Sequence, residues 1–157
     1  MAVQSEQPEP EPSPEETFLA AFDALAQAVR RARGATGAEG SLTLSQYGLL
    51  NALSGREAAR VRDLADVAGV APSTATRILD ALERRAIVRR TRSADDRRGV
   101  TVSLTEEGRR ALDAQDAWLR GRQRAFYSGL PDYERELAPD LLVRLAALID
   151  ELASGPR

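Results

Sequence analysis

Residues 61–104, VRDLADVAGVAPSTATRILDALERRAIVRRTRSADDRRGVTVSL, carry the signals of two helices followed by a β-hairpin. The first helix is predicted over Arg62–Ala68. It ends at Gly69, because glycine tolerates the left-handed backbone that closes many helices. The second is predicted from Pro72 to about Arg85, because proline suits the first helical position. A sharp turn between two helices followed by a hairpin is the pattern on which the rest of the prediction depends.

The start of the second helix has two possible positions. If Pro72 is the first helical residue, Ala71 is its N-cap, and alanine is a poor cap that costs roughly 1 kcal/mol against serine or threonine. A start at Ser73 is the alternative. Both starts leave the same residues on the buried face, which follow the i, i+3, i+4, i+7 spacing: Ala75, Ile78, Leu79 and Leu82.

The opposite face of this helix has short hydrogen-bonding groups near its start and an arginine one turn along: Ser73, Thr74, Thr76 and Arg77. A helix that reads DNA presents its N-terminal residues to base edges in the major groove, and arginine binds guanine bidentately. The pattern favours DNA recognition, although serine and threonine are also common at helix starts. We expect Asp80 and Glu83 to be surface residues or intramolecular partners rather than base-reading residues.

The hairpin is predicted as a strand from Ile87 through Arg92, a polar turn, and a strand over Val100–Leu104, where apolar and polar residues alternate. Eight arginines lie between residues 77 and 98, against four acids. An arginine on a protruding turn can enter a minor groove, and a neighbouring aspartate can orient it through a bidentate pair. The same arginine density also fits a merely solvated surface.

The composition limits the possible functions. With 157 residues, 43% of them hydrophobic, the chain predicts one domain with its own core. The net charge is −2, but residues 1–16 contain five acids and no base, so residues 17–157 carry 22 arginines against 19 acids, a net charge of +3. Every basic residue is an arginine, the side chain best suited to phosphate and guanine.

The chain lacks the residues that several classes of functional site need. The chain has no cysteine and no histidine, which excludes disulfides and thiol switches, disfavours the usual metal sites and leaves no Ser-His or Cys-His nucleophile. Asp95 and Asp96 are an acid pair that could in principle act in acid–base catalysis. They lie in a polar turn with no predicted pocket, which disfavours an enzyme. The first residues lack the basic and apolar regions typical of a signal peptide, so we expect none, and we find no apolar run long enough to span a membrane and no phosphate-binding glycine loop. We therefore expect a cytoplasmic protein without catalytic activity, cofactor or metal.

The segments before the hairpin unit are predicted to be a polar tail and two helices. Residues 1–16, MAVQSEQPEPEPSPEE, have too few apolar residues to order themselves and are predicted to be disordered. Helices are predicted over Thr17–Arg33 and Leu44–Leu53, the second capped by Thr43 or Ser45. A very short strand beside the hairpin is predicted at Arg60–Arg62.

The C-terminal part is predicted to be helical. Thr105 caps a long helix that runs to about Tyr127. Two heptad-spaced rows on it suit packing on both its own domain and a partner helix, although an ordinary core helix is the alternative: Ala111, Trp118, Ala125 and Leu112, Leu119, Phe126. Pro139 predicts an interruption between a short turn at 132–137 and a main helix at 139–153.

The order of LTLSQYGLLNAL, the two-helix unit and DDRRGVTVSLTEEG resembles the MarR family of winged-helix transcription regulators. The resemblance covers about residues 18–152 and is most specific over 61–108. It implies a mainly α fold with a small β-hairpin wing, in which residues 17–157 form a single domain. Within it, 44–104 is the winged helix-turn-helix part, and 17–40 and 105–153 are N- and C-terminal dimerisation helices.

The resemblance also implies a function and its residues. The implied protein is a homodimeric repressor that binds a palindromic double-stranded DNA operator and is released by a small anionic or aromatic effector. The implied DNA-binding residues are Ser73, Thr74, Thr76 and Arg77 in the recognition helix, and Arg97 and Arg98 in the wing, supported by Asp96. The candidate effector-binding residues are Phe22, Arg30, Arg33, Tyr47, Arg90 and Trp118. The alternative is that the aromatic residues belong to the core and that Arg30 and Arg33 are surface residues. The alternative is a winged-helix module that binds protein or ligand without DNA, which a weak salt dependence of any DNA binding would favour.

Overall fold

The computed structural model describes residues 12–35, 41–92 and 100–155. Within these ranges the chain forms six helices and three short strands, as expected for a mainly α protein with a β wing. They are α1 (Pro14–Gly34), α2 (Leu44–Leu53), β1 (Ala59–Arg60), α3 (Val61–Ala68), α4 (Pro72–Arg84), β2 (Val88–Arg92), β3 (Val100–Leu104), α5 (Glu106–Gly129) and α6 (Asp132–Ser154). The chain divides into two compact units, Met1–Leu112 and Asp113–Arg157.

One buried cluster holds the first unit together. Its largest fully buried side chains come from α2, α3, α4 and the hairpin, and all of them are leucine or valine: Leu49, Leu50, Leu53, Leu64, Leu79, Leu82, Val88 and Val102. Burying one such side chain contributes about 1.5–3 kcal/mol. The predicted apolar face of α4 therefore packs into this core, with Ile78 half-buried against it, and the orientation of the helix is fixed.

The junction between α3 and α4 has the predicted turn. Gly69 closes α3 in the left-handed conformation, with a φ of 63°, which glycine adopts at little cost. Helix α4 begins at Pro72 rather than Ser73, and its N-cap Ala71 makes no side-chain hydrogen bond. The absent cap means that local chemistry at the start of α4 contributes little, and the buried face carries the stability of the helix.

Helix α2 is capped by Thr43 and not by Ser45, the other predicted cap. The Thr43 hydroxyl accepts the backbone N–H of Gln46 at 3.1 Å, and the Gln46 side chain accepts the backbone N–H of Thr43 at 3.1 Å. This reciprocal capping box satisfies two N–H groups that a helix start leaves unpaired. The Ser45 hydroxyl instead donates to the backbone carbonyl of Arg33 at 3.1 Å, which connects the start of α2 to the end of α1.

The three strands form an antiparallel sheet in the order β1-β3-β2. The hairpin register pairs Val88 with Leu104 and Arg92 with Val100. The short strand was predicted at Arg60–Arg62, but it comprises Ala59 and Arg60 and pairs with β3. The prediction was wrong at its C-terminal end, because α3 already begins at Val61.

The predicted tail was too long. Helix α1 begins at Pro14, because the Ser13 hydroxyl accepts the backbone N–H of Glu16 at 3.2 Å and the Glu16 carboxylate accepts that of Ser13 at 2.7 Å. Proline at the first helical position adds to this start signal. Residues 14–16 are thus helical, whereas residues 1–11 lie outside the described ranges.

The predicted interruption at Pro139 was also wrong. Residues 132–154 form one uninterrupted helix, α6, with this proline inside it. Proline removes one helical hydrogen bond, but the first turn is anchored by the Pro131 carbonyl, which accepts the N–H groups of Glu134 and Arg135 at 3.0 Å each. The residues after Pro139 are mostly leucine and alanine, which are strong helix formers.

Candidate nucleic-acid interface

Helix α4 presents a polar surface opposite its buried face. Ser73, Thr76 and Arg77 are exposed and Thr74 is half-buried. The Thr76 hydroxyl donates to the Pro72 carbonyl at 2.9 Å, so its oxygen remains an acceptor. The four residues predicted for the major groove thus lie on the first two turns of one helix whose other side is anchored in the core. Such a face can offer hydrogen-bonding groups and a guanidinium to base edges.

The strand β2 is joined to α4 through Arg90. Its guanidinium Nη1 donates to a carboxylate oxygen of Asp80 and, at 2.9 Å, to Oε2 of Glu83. Its Nη2 donates to the Thr76 carbonyl at 3.4 Å, and its backbone N–H donates to Glu83 Oε1 at 3.2 Å. Asp80 and Glu83 are therefore intramolecular partners, as expected, and Arg90, predicted as an effector contact, is engaged by α4.

The wing is described up to its last paired residues. Pairing of Arg92 with Val100 brings the two ends of the turn together, and Arg89 and Arg92 are exposed on β2. The residues predicted to reach the minor groove, Arg97 and Arg98, and the supporting Asp96 lie outside the described residues. Their roles stay predictions.

The candidate effector residues differ in their burial, and their role stays a prediction. Tyr47 is half-buried and packs against the core, whereas Arg30 is exposed on α1. Phe22 is half-buried, and its ring lies 6.4 Å from that of Phe18. Trp118 belongs to the second unit and is 59% exposed.

One groove lies between α1 and α2, and of the predicted residues only Arg33 lines it. Its volume is about 490 Å³, and its walls are formed by Ala28, Val29, Ala32, Arg33 and Leu44. Sequence reasoning missed the apolar walls, because small residues on α1 gave no signal beyond helix propensity. The i, i+4 spacing of Ala28 and Ala32, beside an arginine, was the available hint.

The described ranges contain neither a metal-ligand cluster nor a membrane-spanning helix. No group of three or more acidic side chains is placed to hold a metal ion there. None of the helices in the same ranges is long and apolar enough to span a membrane.

The anchored helix α4, the turn at Gly69 before it and the antiparallel hairpin after it define a winged helix-turn-helix, a class of DNA-binding folds. The sequence model of the MarR family matches residues 42–100, which include α2, α3, the turn at Gly69, α4 and β2 and end at the first residue of β3. Over these residues the chain is therefore similar to the MarR family. Members of this family are transcriptional regulators and not enzymes.

A curated relative is similar to a longer stretch of the chain. The HTH-type transcriptional repressor MdtR of Bacillus subtilis is 29% identical over 105 residues, which cover 67% of this chain and 68% of MdtR. The chain spans only about half the length of two further HTH-type regulators of the same organism, 43% of one and 52% of the other.

Solved structures show the same fold. FabT of Streptococcus pneumoniae, whose structure was determined in complex with DNA, superposes with a TM-score of 0.67 at 18% identity, covering 87% of this chain and 95% of FabT. BpsR of Bordetella bronchiseptica, whose DNA binding is regulated by 6-hydroxynicotinic acid, gives 0.63 at 23% identity, covering 81% of this chain and 98% of BpsR. At these identities the likeness concerns the fold alone.

Proposed function

We propose that the chain is a transcriptional regulator that binds a specific double-stranded DNA site as a homodimer, in the cytoplasm where that DNA lies. The single observation that carries the proposal is the polar face of α4. Its predicted base-reading residues face away from a helix surface that is buried. Arg77 supplies the guanine-binding fork, and Ser73 supplies a short hydrogen-bonding group near the helix start.

The wing supplies the second contact in this proposal. Arg98 reaches into the minor groove beside the site, oriented by Asp96, and Arg97 neutralises a phosphate. Minor-groove arginines read groove width and not base identity, so the wing adds affinity and a shape preference. The exposed Arg89 and Arg92 on β2 add positive charge on the same hairpin.

A second copy of the chain is the proposed partner. Many large apolar side chains of α1 and α6 are 39–70% exposed in one chain: Phe18, Leu19, Leu25, Val29, Leu137, Leu141, Leu142, Val143, Leu148, Ile149 and Leu152. Apolar surface on this scale marks an interaction site. A two-fold dimer places two recognition helices one helical turn of DNA apart, which fits a palindromic operator.

The proposed mode of action is repression relieved by a small anionic or aromatic effector. The groove between α1 and α2 supports an effector site, since its apolar walls suit a ring and Arg33 suits a carboxylate. MdtR is named as a repressor. The compound that regulates DNA binding by BpsR, 6-hydroxynicotinic acid, is an aromatic carboxylic acid. An effector acts only if its affinity differs between the DNA-bound and free shapes of the dimer.

The test is binding to the duplex upstream of the coding region over a series of salt concentrations. We expect tight binding that resists competitor DNA and weakens steeply with salt, because phosphate contacts release counterions. Arg98→Ala is expected to weaken it, whereas Arg56→Ala, an equal loss of charge at an exposed position in the loop after α2, is expected to leave it nearly unchanged.

Two other results are informative. If the upstream duplex is not bound, selection of bound fragments from the whole genome tests whether the operator lies elsewhere. Binding that is weak, non-specific and nearly independent of salt with every fragment contradicts the proposal, and favours a winged-helix module that binds protein or ligand.

A further inference from the structure

Arg90 holds two acidic side chains of the recognition helix at once. Asp80 and Glu83 lie three residues apart on α4 and thus on the same side of the helix. Arg90 from β2 lies between them and donates to both carboxylates. Only 22% of the Arg90 side chain is exposed, against 43% for Asp80 and 40% for Glu83. We call these three residues the Arg90 lock.

The lock includes the backbone of both elements. Glu83 uses one carboxylate oxygen for the guanidinium and the other for the backbone N–H of Arg90 at 3.2 Å. The Arg90 guanidinium also donates to the backbone carbonyl of Thr76 at 3.4 Å. Helix α4 and strand β2 are therefore connected through four hydrogen bonds, so that sliding or rotating the hairpin against the helix breaks several together.

The position of the lock relates it to the DNA-binding surface. Thr76 belongs to the predicted base-reading face, and Arg90 lies two residues before Arg92, the last paired residue of the strand that leads into the wing turn. The lock therefore connects α4 to β2 at a point between the predicted base-reading residues of the helix and the end of the strand that leads into the wing turn. Two carboxylates this close to a DNA-binding face would repel phosphates if their charge were not neutralised by the arginine.

We propose that the Arg90 lock fixes the orientation of the wing hairpin relative to the recognition helix, so that both reach their grooves together. Arg90, Asp80 and Glu83 are positioning residues in this proposal and do not contact DNA. The inference rests on the proposed function as a DNA-binding regulator. Preorganisation of this kind improves affinity because the free protein need not be ordered during binding.

The proposal predicts a result opposite to that of simple electrostatics. Asp80→Ala/Glu83→Ala removes two negative charges and frees a guanidinium, so charge alone would strengthen DNA binding. If the lock positions the wing, the double variant instead binds its operator about tenfold more weakly. Alanine is the best helix former, so a weakened helix would not account for the loss.

A matched control separates charge from position. Asp63 and Asp66 on α3 are also exposed acids three residues apart in the winged-helix part. Asp63→Ala/Asp66→Ala makes the same change in net charge without touching the lock, and it is expected to leave operator affinity unchanged or to raise it. Equal affinities for the two double variants, or tighter binding by the lock variant, would overturn the inference.

Substitutions of Arg90 itself test whether it contacts phosphate. Arg90→Ala is expected to weaken operator binding without changing the slope of log K against log salt, whereas loss of one phosphate contact lowers that slope by about 0.9. Arg90→Lys is expected to restore part of the affinity, since one ammonium cannot form the whole bridge. Arg89→Ala, on the neighbouring exposed position, is the control for loss of one charge. A lowered slope for Arg90→Ala contradicts a purely positioning role.

A measurement without DNA completes the test. The backbone N–H of Arg90 should exchange with solvent hydrogen faster in Asp80→Ala/Glu83→Ala than in the parent, while amides of the core helix α2 keep their protection. Unchanged exchange at Arg90 shows that no lock exists. If the parent binds no DNA at all, the proposed function fails, and the exchange result alone then decides whether the lock exists.

Discussion

The side-chain hydroxyl of Thr105 donates a hydrogen bond to the backbone carbonyl of Ala86 at 2.6 Å. Its oxygen accepts the backbone N–H of Gly108 at 3.0 Å, which caps the start of α5. Ala86 has a φ of 55°, and no other described residue except glycine has a positive φ. Thr105 thus joins the beginning of α5 to the residue where the chain leaves the recognition helix and enters the wing.

The first prediction concerns this joint. Thr105→Val keeps the shape of the side chain and removes the hydroxyl, so both the cap and the bond to Ala86 are lost. We expect the free energy of unfolding to fall by about 1–2 kcal/mol, measured by urea denaturation. Thr105→Ser keeps the hydroxyl and should remain near the parent value. A loss in Thr105→Ser with none in Thr105→Val would assign the effect to the methyl group instead.

The second prediction concerns Gly108, which follows in the same turn. A Cβ added there would lie 2.0 Å from the backbone carbonyl oxygen of Ile87, so the backbone must shift. We expect Gly108→Ala to lower the free energy of unfolding by about 1–3 kcal/mol. Gly121→Ala on the same helix meets nothing within 4 Å and should be neutral or stabilise by up to about 1 kcal/mol. Comparable melting curves for the two variants would contradict the close approach.

The third prediction tests the recognition helix. Arg77→Ala should weaken binding to the operator by about 1–3 kcal/mol and relax the preference for one base, while affinity for random DNA falls less. Fluorescence anisotropy with operator and scrambled duplexes measures both. Arg84→Ala, which removes an exposed arginine two turns further along α4, serves as the control and should leave base preference unchanged.

The fourth prediction tests the apolar face of α6. Leu142→Glu places a charge where a second copy is expected to pack, and the dimer should dissociate into monomers in sedimentation experiments. Val67→Glu changes a residue of similar exposure on α3, 60% against 63% for Leu142, and should leave the oligomeric state unchanged. A parent chain that sediments as a monomer would contradict the homodimer itself.

The fifth prediction concerns acid. Hydrogen bonds from the Ser13 backbone and side chain lower the pKa of Glu16. A carboxylate with a lowered pKa stabilises the folded start of α1 above its unfolded pKa, and this contribution is lost as the pH falls through the folded pKa. Protection factors of amides in the first turn of α1, which correct for the intrinsic slowing of exchange in acid, should therefore fall as the pH drops through the folded pKa of Glu16. Glu16→Gln keeps an acceptor oxygen but cannot titrate, so its exchange should not show this step.

Structural features that depend on residues close together in the sequence could be predicted. The two faces of α4, the turn at Gly69 and the caps at Thr43 and Thr105 each depend on neighbours a few residues away, and the structure has all of them. The capping box of Ser13 and Glu16 was equally local, yet it was missed because the proline- and glutamate-rich context suggested disorder.

Long-range features were not readable in this way. The contact of Arg90 with α4 depends on the register of β2 and on how the hairpin packs, which no spacing in the sequence encodes. The continuity of α6 through Pro139 depends on the sum of helix propensity around one lost hydrogen bond. The apolar groove beside Arg33 could not be predicted either, because its walls come from two helices whose relative position the sequence does not specify.

The described residues of α6 include no buried side chain. A helix without buried contacts gains little stability, since isolated helices are marginal in water. Contacts with a second copy would therefore supply most of what keeps this helix folded, which couples folding to mass action. Its melting temperature should rise with protein concentration. In the cell, the concentration of the protein would then determine the fraction of molecules that are folded and active.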